Sequence, residues 1–124
     1  MVRPTGAYPA TPEIERARAV LRRGWAGRAA ELGRPEPADL AGACKFAALF
    51  ATAVFGGVLR ANHWHVWAEV GGGVLDLTVM PGEAARDYRA DPAFERRREF
   101  AESLASCRPR VGRWVAEFGR GPRG

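Results

Sequence analysis

Residues 42–78, GACKFAALFATAVFGGVLRANHWHVWAEVGGGVLDLT, decide the fold. Residues 43–55 are apolar nearly all round, which predicts a helix that is buried between two layers and ended by Gly56-Gly57. Runs rich in β-branched and aromatic residues predict strands near residues 58–60, 64–70 and 74–79. A cysteine therefore lies at the start of a helix, a histidine in a strand and an aspartate in the following strand.

Helices are predicted on both sides of this stretch. Thr11-Pro12-Glu13 is typical of a helix start, with an N-cap, a proline in the first turn and an acid facing the helix dipole. The apolar stripe of this first helix comprises Ile14, Ala17, Leu21, Trp25 and Leu32. Residues 33–37 then break the chain with two prolines.

On the C-terminal side, Asp91-Pro92 predicts a helix that reaches about Ser106. Pro109 is expected to interrupt it, before a short last helix. The prediction is an α+β fold in one domain, 1–124, in which N-terminal helices pack on a short antiparallel sheet and C-terminal helices follow. Residues 1–10 and 119–124 are expected to be flexible.

The hairpin formed by the predicted strands near residues 64–70 and 74–79 has a testable register. With Gly71-Gly72 at the centre of the turn, Val70 faces Gly73 and Trp67 faces Asp76. One face then collects the apolar residues Trp64, Val66, Ala68, Val70, Leu75, Leu77 and Val79. The other face collects His63, His65, Trp67, Glu69, Val74, Asp76 and Thr78. His65 and Asp76 become diagonal neighbours at about 7 Å, close enough for a carboxylate to orient an imidazole.

Cys44 is the candidate nucleophile. Its predicted place in the first turn of a helix lowers the pKa of a thiol, and a neighbouring imidazolium lowers it further. The Cys44 backbone N–H is available there to donate to an oxyanion. The second oxyanion donor stays open between Asn62, Trp64 and a group from the N-terminal segment.

These motifs carry a family resemblance. Gly42 with Cys44, Phe55-Gly56-Gly57, His65 with Trp67, and Asp76-Leu77-Thr78 resemble the YunG-like family of bacterial proteins. More distantly, the chain is similar to the transglutaminase-like and papain-like thiol enzymes, whose histidine commonly lies in an H-x-W strand and whose acid lies in a D-x-T strand. The resemblance spans residues 40–80 and implies a papain-like or transglutaminase-like core. It further implies a catalytic triad in which Cys44 is the nucleophile, His65 the base and Asp76 the orienting acid.

Two departures from those enzymes concern the substrate. The loop between His65 and Asp76 is short, and the chain has no obvious domain that would recognise a protein substrate. The predicted activity is that of an amidase, peptidase, deamidase or transglutaminase-like acyltransferase that needs no cofactor. A protein or peptide is the expected substrate, with Trp67, Asn62 and His63 as candidate substrate-binding residues.

Other interpretations of the same residues remain open. His63 and His65 lie at i, i+2 and, with Glu69 or Asp76, have ligand types suited to a metal, although no metal site is predicted. Asp76 is also a candidate turn cap. Cys107 is expected to be a buried residue at a helix end, and both cysteines to be free thiols. The alternative function is a non-catalytic α+β interaction module with an arginine-rich surface.

Composition bounds the partners and the location. The net charge of +5 suits nucleic acid, but Glu95 and Glu99 bracket Arg96, Arg97 and Arg98, which indicates a salt-bridged, solvated face. Nucleic acid is therefore not an expected partner. No apolar run approaches the ~18 residues of a membrane span, so no membrane association is expected. The first residues lack the apolar segment of a secretory signal, which favours a cytoplasmic location.

Overall fold

The computed structural model describes residues 11–79 and 87–121, which form a mixed helical and sheet fold. The helices in these residues are α1 (Pro12–Glu31), α2 (Cys44–Phe55), α3 (Pro92–Glu95) and α4 (Arg98–Gly119). The strands β1 (Val58–Ala61), β2 (Val66–Val70) and β3 (Gly73–Leu75) form an antiparallel sheet in the order β1-β2-β3. The predicted combination of helices with a short antiparallel sheet is confirmed.

Helix α1 begins as predicted. The Thr11 hydroxyl accepts the Ile14 N–H at 3.1 Å, which satisfies one of the donors that a helix start leaves free. Ile14, Ala17 and Leu21 are buried, whereas Leu32 is 50% exposed. The assignment of Leu32 to the buried stripe was wrong because the helix ends at Glu31 and Leu32 is its C-cap.

Helix α2 is the centre of the fold. It packs against β2 on one side and α4 on the other, so its apolar surface is buried between layers as predicted. Phe46 to Ala51 are all buried. Gly56 ends the helix with a φ of +83°, a conformation that suits glycine, and its N–H donates to the Thr52 carbonyl.

The predicted hairpin register is confirmed. Val70 pairs with Gly73 and Ala68 with Leu75. Gly71 and Gly72 both have positive φ, as a two-residue hairpin turn requires. Strand β3 is shorter than predicted and ends at Leu75, because the next residues form a turn in which the Asp76 carboxylate accepts the Thr78 N–H.

The two faces of the hairpin differ from the prediction. Val66, Ala68 and Leu75 join the core as expected, but Trp64 is 79% exposed because it lies in the loop before β2. Much of the face expected to be polar is buried as well, with Trp67 completely inaccessible, although His63 at its end is exposed. The sheet therefore packs apolar residues on both sides.

Two C-terminal predictions were wrong. The helix that starts after Asp91 ends at Glu95, and α4 then runs through Pro109 without a break. Pro109 is exposed, whereas the stripe of α4 that comprises Leu104, Cys107, Val111, Trp114 and Phe118 is buried. This packing outweighs the hydrogen bond that the proline removes. Cys107 is consequently buried in the middle of a helix instead of at its end, and neither cysteine forms a disulfide.

The termini and the charged face also differ from expectation. Gly119 is helical and Arg120 is the C-cap, so the expected flexible tail does not begin at residue 119. The segments 1–10, 80–86 and 122–124 lie outside the described residues. Glu95 pairs with Arg60 of β1 at 2.8 Å, instead of with an arginine of its own helix.

None of the helices in residues 11–79 and 87–121 combines the length and the apolar character needed to cross a membrane. The cytoplasmic location and the absence of a nucleic-acid partner stay predictions.

Candidate active site

Cys44 is the first residue of α2, as the sequence predicts, and it is partly buried. Ala43 is the N-cap, and its own N–H donates to the Leu40 carbonyl at 3.1 Å in the turn that leads into the helix. Gly42 precedes it with a φ of +82°. The first N–H groups of a helix have no intrahelical acceptor, so the Cys44 backbone N–H is available beside its own sulfur.

Asn62 holds His65 in place. Its side-chain oxygen accepts the backbone N–H groups of Trp64 and His65, each at 2.9 Å. Its side-chain nitrogen donates to the carbonyls of Asp87 and Arg89, at 3.1 and 3.0 Å. Because both ends of this buried amide are occupied, Asn62 fixes the β1–β2 loop from which His65 projects.

Asp76 contacts His65 directly. Its Oδ2 lies 2.5 Å from His65 Nε2 and also accepts the Tyr88 hydroxyl at 2.9 Å. Its Oδ1 accepts the backbone N–H and the hydroxyl of Thr78, at 3.0 and 2.6 Å. The carboxylate is thus held by four donors when His65 Nε2 carries its proton, and that arrangement fixes the imidazole's orientation.

The structure brings Cys44, His65 and Asp76 together in one cluster. The imidazole of His65 is hydrogen-bonded to Asp76 and also lies near Cys44, close enough for the two groups to shift each other's pKa. Since Asp76 occupies Nε2, Nδ1 is the ring nitrogen left to exchange a proton with Cys44.

The electrostatics of Cys44, His65 and Asp76 favour a pair in which Cys44 is a thiolate and His65 an imidazolium. Burial raises the pKa of Cys44, but the neighbouring His65 outweighs this effect and leaves that pKa below its ordinary value. Burial lowers the pKa of His65, but its hydrogen bond to Asp76 and the neighbouring Cys44 raise that pKa to about 9. Burial also raises the pKa of Asp76, yet His65 and Thr78 hold it below its usual range.

Two aromatic residues support the imidazole. Trp67 lies nearly parallel to His65, with ring centroids 6.4 Å apart and an angle of 14°. Tyr88 meets both rings, with centroids 5.4 Å from Trp67 and 5.9 Å from His65. Sequence reasoning missed Tyr88, because no periodicity links it to the hairpin.

Two pockets flank Cys44. One, of about 310 Å³, lies towards α3 and the start of α4, and the other, of about 270 Å³, lies towards residues 39–42. Cys44, Trp64 and His65 line both pockets. The sulfur therefore lies where the two pockets meet, with the exposed Trp64 as a shared wall.

The three predicted substrate-binding residues occupy different places. His63 is exposed and lines the larger pocket, where its ring lies 4.7 Å from that of Phe94. Asn62 contributes to the same wall, but its amide is occupied by the loop. Trp67 is completely buried, so the expectation that it contacts substrate was wrong, and it packs behind the imidazole instead.

His63 and His65 have different acidic partners. His65 Nε2 faces Asp76, whereas His63 Nε2 lies 3.6 Å from Asp91. Across residues 11–79 and 87–121, no group of three or more histidine, cysteine or acidic side chains is arranged to hold a metal ion.

Comparisons with protein-family models, curated proteins and solved structures found no match for this chain. The resemblance to the YunG-like family and to papain-like and transglutaminase-like enzymes therefore rests on the residues described above.

Proposed function

We propose that this protein is a cysteine-dependent enzyme that acts on an amide or a related acyl group. The observation that carries the proposal is the cluster of Cys44, His65 and Asp76, in which a thiol at a helix start lies near an imidazole held by a buried carboxylate. A papain-like or transglutaminase-like core agrees with the order of these residues along the chain. The class includes peptidases, amidases, deamidases and acyltransferases.

The proposed reaction has two steps. The Cys44 thiolate attacks the carbonyl carbon, and the C–N bond breaks as the His65 imidazolium gives its proton to the departing amine. The acyl group is then held as a thioester. Water, or a second amine, attacks this thioester while His65 takes its proton, and the C–S bond breaks to restore Cys44. With water as acceptor, the products are a carboxylic acid and an amine.

Selective alkylation tests the nucleophile. We expect iodoacetamide to modify Cys44 at about pH 6 at least tenfold faster than Cys107, because the pKa of Cys44 is lowered and its side chain is accessible. Cys107, 4% exposed, is a control within the same molecule. Peptide mass spectrometry measures both rates. A Cys44 that stays unmodified in the folded protein would contradict the proposal and favour the interaction module.

Trp64 is the proposed second oxyanion donor. Of the two candidates identified by residue, the Trp64 backbone N–H already donates to Asn62 and the Asn62 amide is occupied, which leaves the Trp64 indole N–H. We expect Trp64→Phe to slow release of nitrophenol from an activated ester by about tenfold, because an oxyanion loses a donor. Alkylation by iodoacetamide should be unchanged, since no oxyanion forms in that reaction. Equal ester turnover in both proteins would exclude this role.

A further inference from the structure

The larger pocket beside Cys44 contains the chain's single lysine. Lys45 follows the nucleophile in α2, is partly buried, and donates from Nζ to the Ser103 hydroxyl at 2.6 Å. Within residues 11–79 and 87–121, no carboxylate forms an ion pair with Lys45. A lysine in this position keeps its charge available for a ligand in the pocket.

A second cation lines the same pocket. Arg97 is exposed, and its guanidinium lies 5.6 Å from the centroid of the Phe94 ring. In the part of the chain that the structure describes, it too lacks an ion pair with a carboxylate. The arginines that form ion pairs in the described residues, such as Arg110 with Glu31, do not line this pocket.

The pocket has a defined size and a mixed lining. Its volume of about 310 Å³ is at the low end of small-molecule sites, which suits one amino-acid residue better than a large group. Phe94 and Phe100 supply apolar walls, and Glu99 is the acidic residue in the lining. Lys45 and Arg97 outnumber it, so the field in the pocket favours a compact anion.

We propose that this pocket binds a substrate residue that carries a carboxylate close to the acyl group attacked by Cys44. Lys45 and Arg97 bind the carboxylate, and the two phenylalanines contact the apolar part of the residue. The carboxylate belongs either to the end of a peptide chain or to an acidic side chain. This inference rests on the proposed function, because it assigns the substrate class of the same site.

A pair of alkylating agents tests the charge preference without a known substrate. Iodoacetate carries a carboxylate, and iodoacetamide is its neutral analogue. The measured quantity is the rate with iodoacetate divided by the rate with iodoacetamide, both at Cys44. We expect this ratio to fall about three- to tenfold in Lys45→Met and in Arg97→Met, because each change removes a cation near the anionic reagent. The ratio should also fall as salt is raised in the unchanged protein.

Three control variants separate charge from structure. Lys45→Arg keeps the charge and should keep most of the ratio, and Arg108→Met removes an exposed arginine of α4 that does not line the pocket and should leave it unchanged. Glu99→Gln should raise the ratio, because a like charge is removed. The His65 imidazolium also attracts iodoacetate, but it is present in every variant. A ratio that is unchanged in the double variant Lys45→Met, Arg97→Met would overturn the proposal.

Failure of this proposal is distinguishable from failure of the proposed function. Fast alkylation by iodoacetamide with no preference for iodoacetate would support Cys44 as the nucleophile and contradict an anion-binding pocket. Slow alkylation by both reagents would contradict the role of Cys44 as nucleophile, and the substrate assigned to the pocket would be contradicted as well.

Protection of Cys44 by short peptides identifies the source of the carboxylate. Acetyl-Ala-Ala with a free C-terminus carries it on the chain end, acetyl-Ala-Asp-amide carries it on a side chain, and acetyl-Ala-Asn-amide is neutral. We expect one of the two anionic peptides to slow alkylation by iodoacetamide at least threefold more than the neutral peptide. Lys45→Met should abolish that difference, and equal protection by all three peptides contradicts the proposal.

Discussion

Replacement of His65 by alanine is expected to slow alkylation of Cys44 by about 100-fold at about pH 6. A thiol of ordinary pKa, about 8.5, is less than about 1% ionised at that pH. In this protein burial raises the pKa of Cys44, and His65 is what reverses that effect. Without the imidazole the thiolate fraction falls steeply, and the greater nucleophilicity of a more basic thiolate offsets part of the loss.

The difference in alkylation rate between the two proteins is expected to depend on pH. In the unchanged protein the lowered pKa of Cys44 keeps the thiolate present at pH values where an ordinary thiol is protonated. The pKa of His65, raised to about 9, keeps the imidazole charged at neutral pH. The gap between the two proteins should therefore be widest in acid and narrow as the pH approaches 9. Rates of iodoacetamide modification across this range, read at Cys44 by mass spectrometry, measure it.

The variant Asp76→Asn extends the same test. It removes the carboxylate that holds His65 Nε2 and should slow alkylation at about pH 6 by a smaller factor, about tenfold, because the imidazolium loses its partner. Glu117→Gln is the matched control, since Glu117 pairs with Arg23 at the surface. Cys107 should stay unmodified throughout if the fold is intact. Parallel pH profiles for His65→Ala and the unchanged protein would contradict the role of His65.

Much of this geometry could be predicted because it depends on short-range rules. The turn residues Gly71 and Gly72 fixed the register of one hairpin, and the register put His65 and Asp76 near each other. The start of α2 was predicted to within one residue, because the apolar run begins at Ala43, which is its N-cap. Each of these steps needs information from only a few neighbouring residues.

The rest depends on contacts between distant parts of the chain. Asn62 receives its partners from Asp87 and Arg89, and Tyr88 reaches Asp76 from beyond the hairpin. Local patterns contain no trace of such contacts. Pro109 was misread for the same reason, because the buried stripe that keeps α4 continuous packs against another element.

Gly57→Ala is expected to lower the free energy of unfolding by about 4 kcal/mol or more, a large fraction of the stability of an ordinary domain. Gly57 precedes β1 with a φ of +90°, and a Cβ atom there would lie 2.1 Å from the Glu69 carbonyl oxygen. That oxygen belongs to the backbone of β2, so the collision cannot be relieved by rotating a side chain. The strands would have to separate at the end where Val58 pairs with Glu69.

Gly56→Ala is the matched control for this substitution. Gly56 also has positive φ, +83°, but a Cβ atom there would meet nothing within 4 Å. The control should cost about 1–3 kcal/mol, the penalty for placing a side chain in that glycine-only backbone region. The difference between the two variants, measured by urea denaturation, isolates the close approach of β1 and β2.

The same variant links the sheet to the site. Strand β1 leads directly into Asn62, which holds the loop that carries His65. A Gly57→Ala protein that remains folded should therefore also show slower alkylation of Cys44, whereas Gly56→Ala should not, since it leaves the strand pair in contact. Equal losses of stability in the two variants would show that backbone conformation alone sets the cost, and that β1 and β2 can accommodate a methyl group where the structure leaves no space for one.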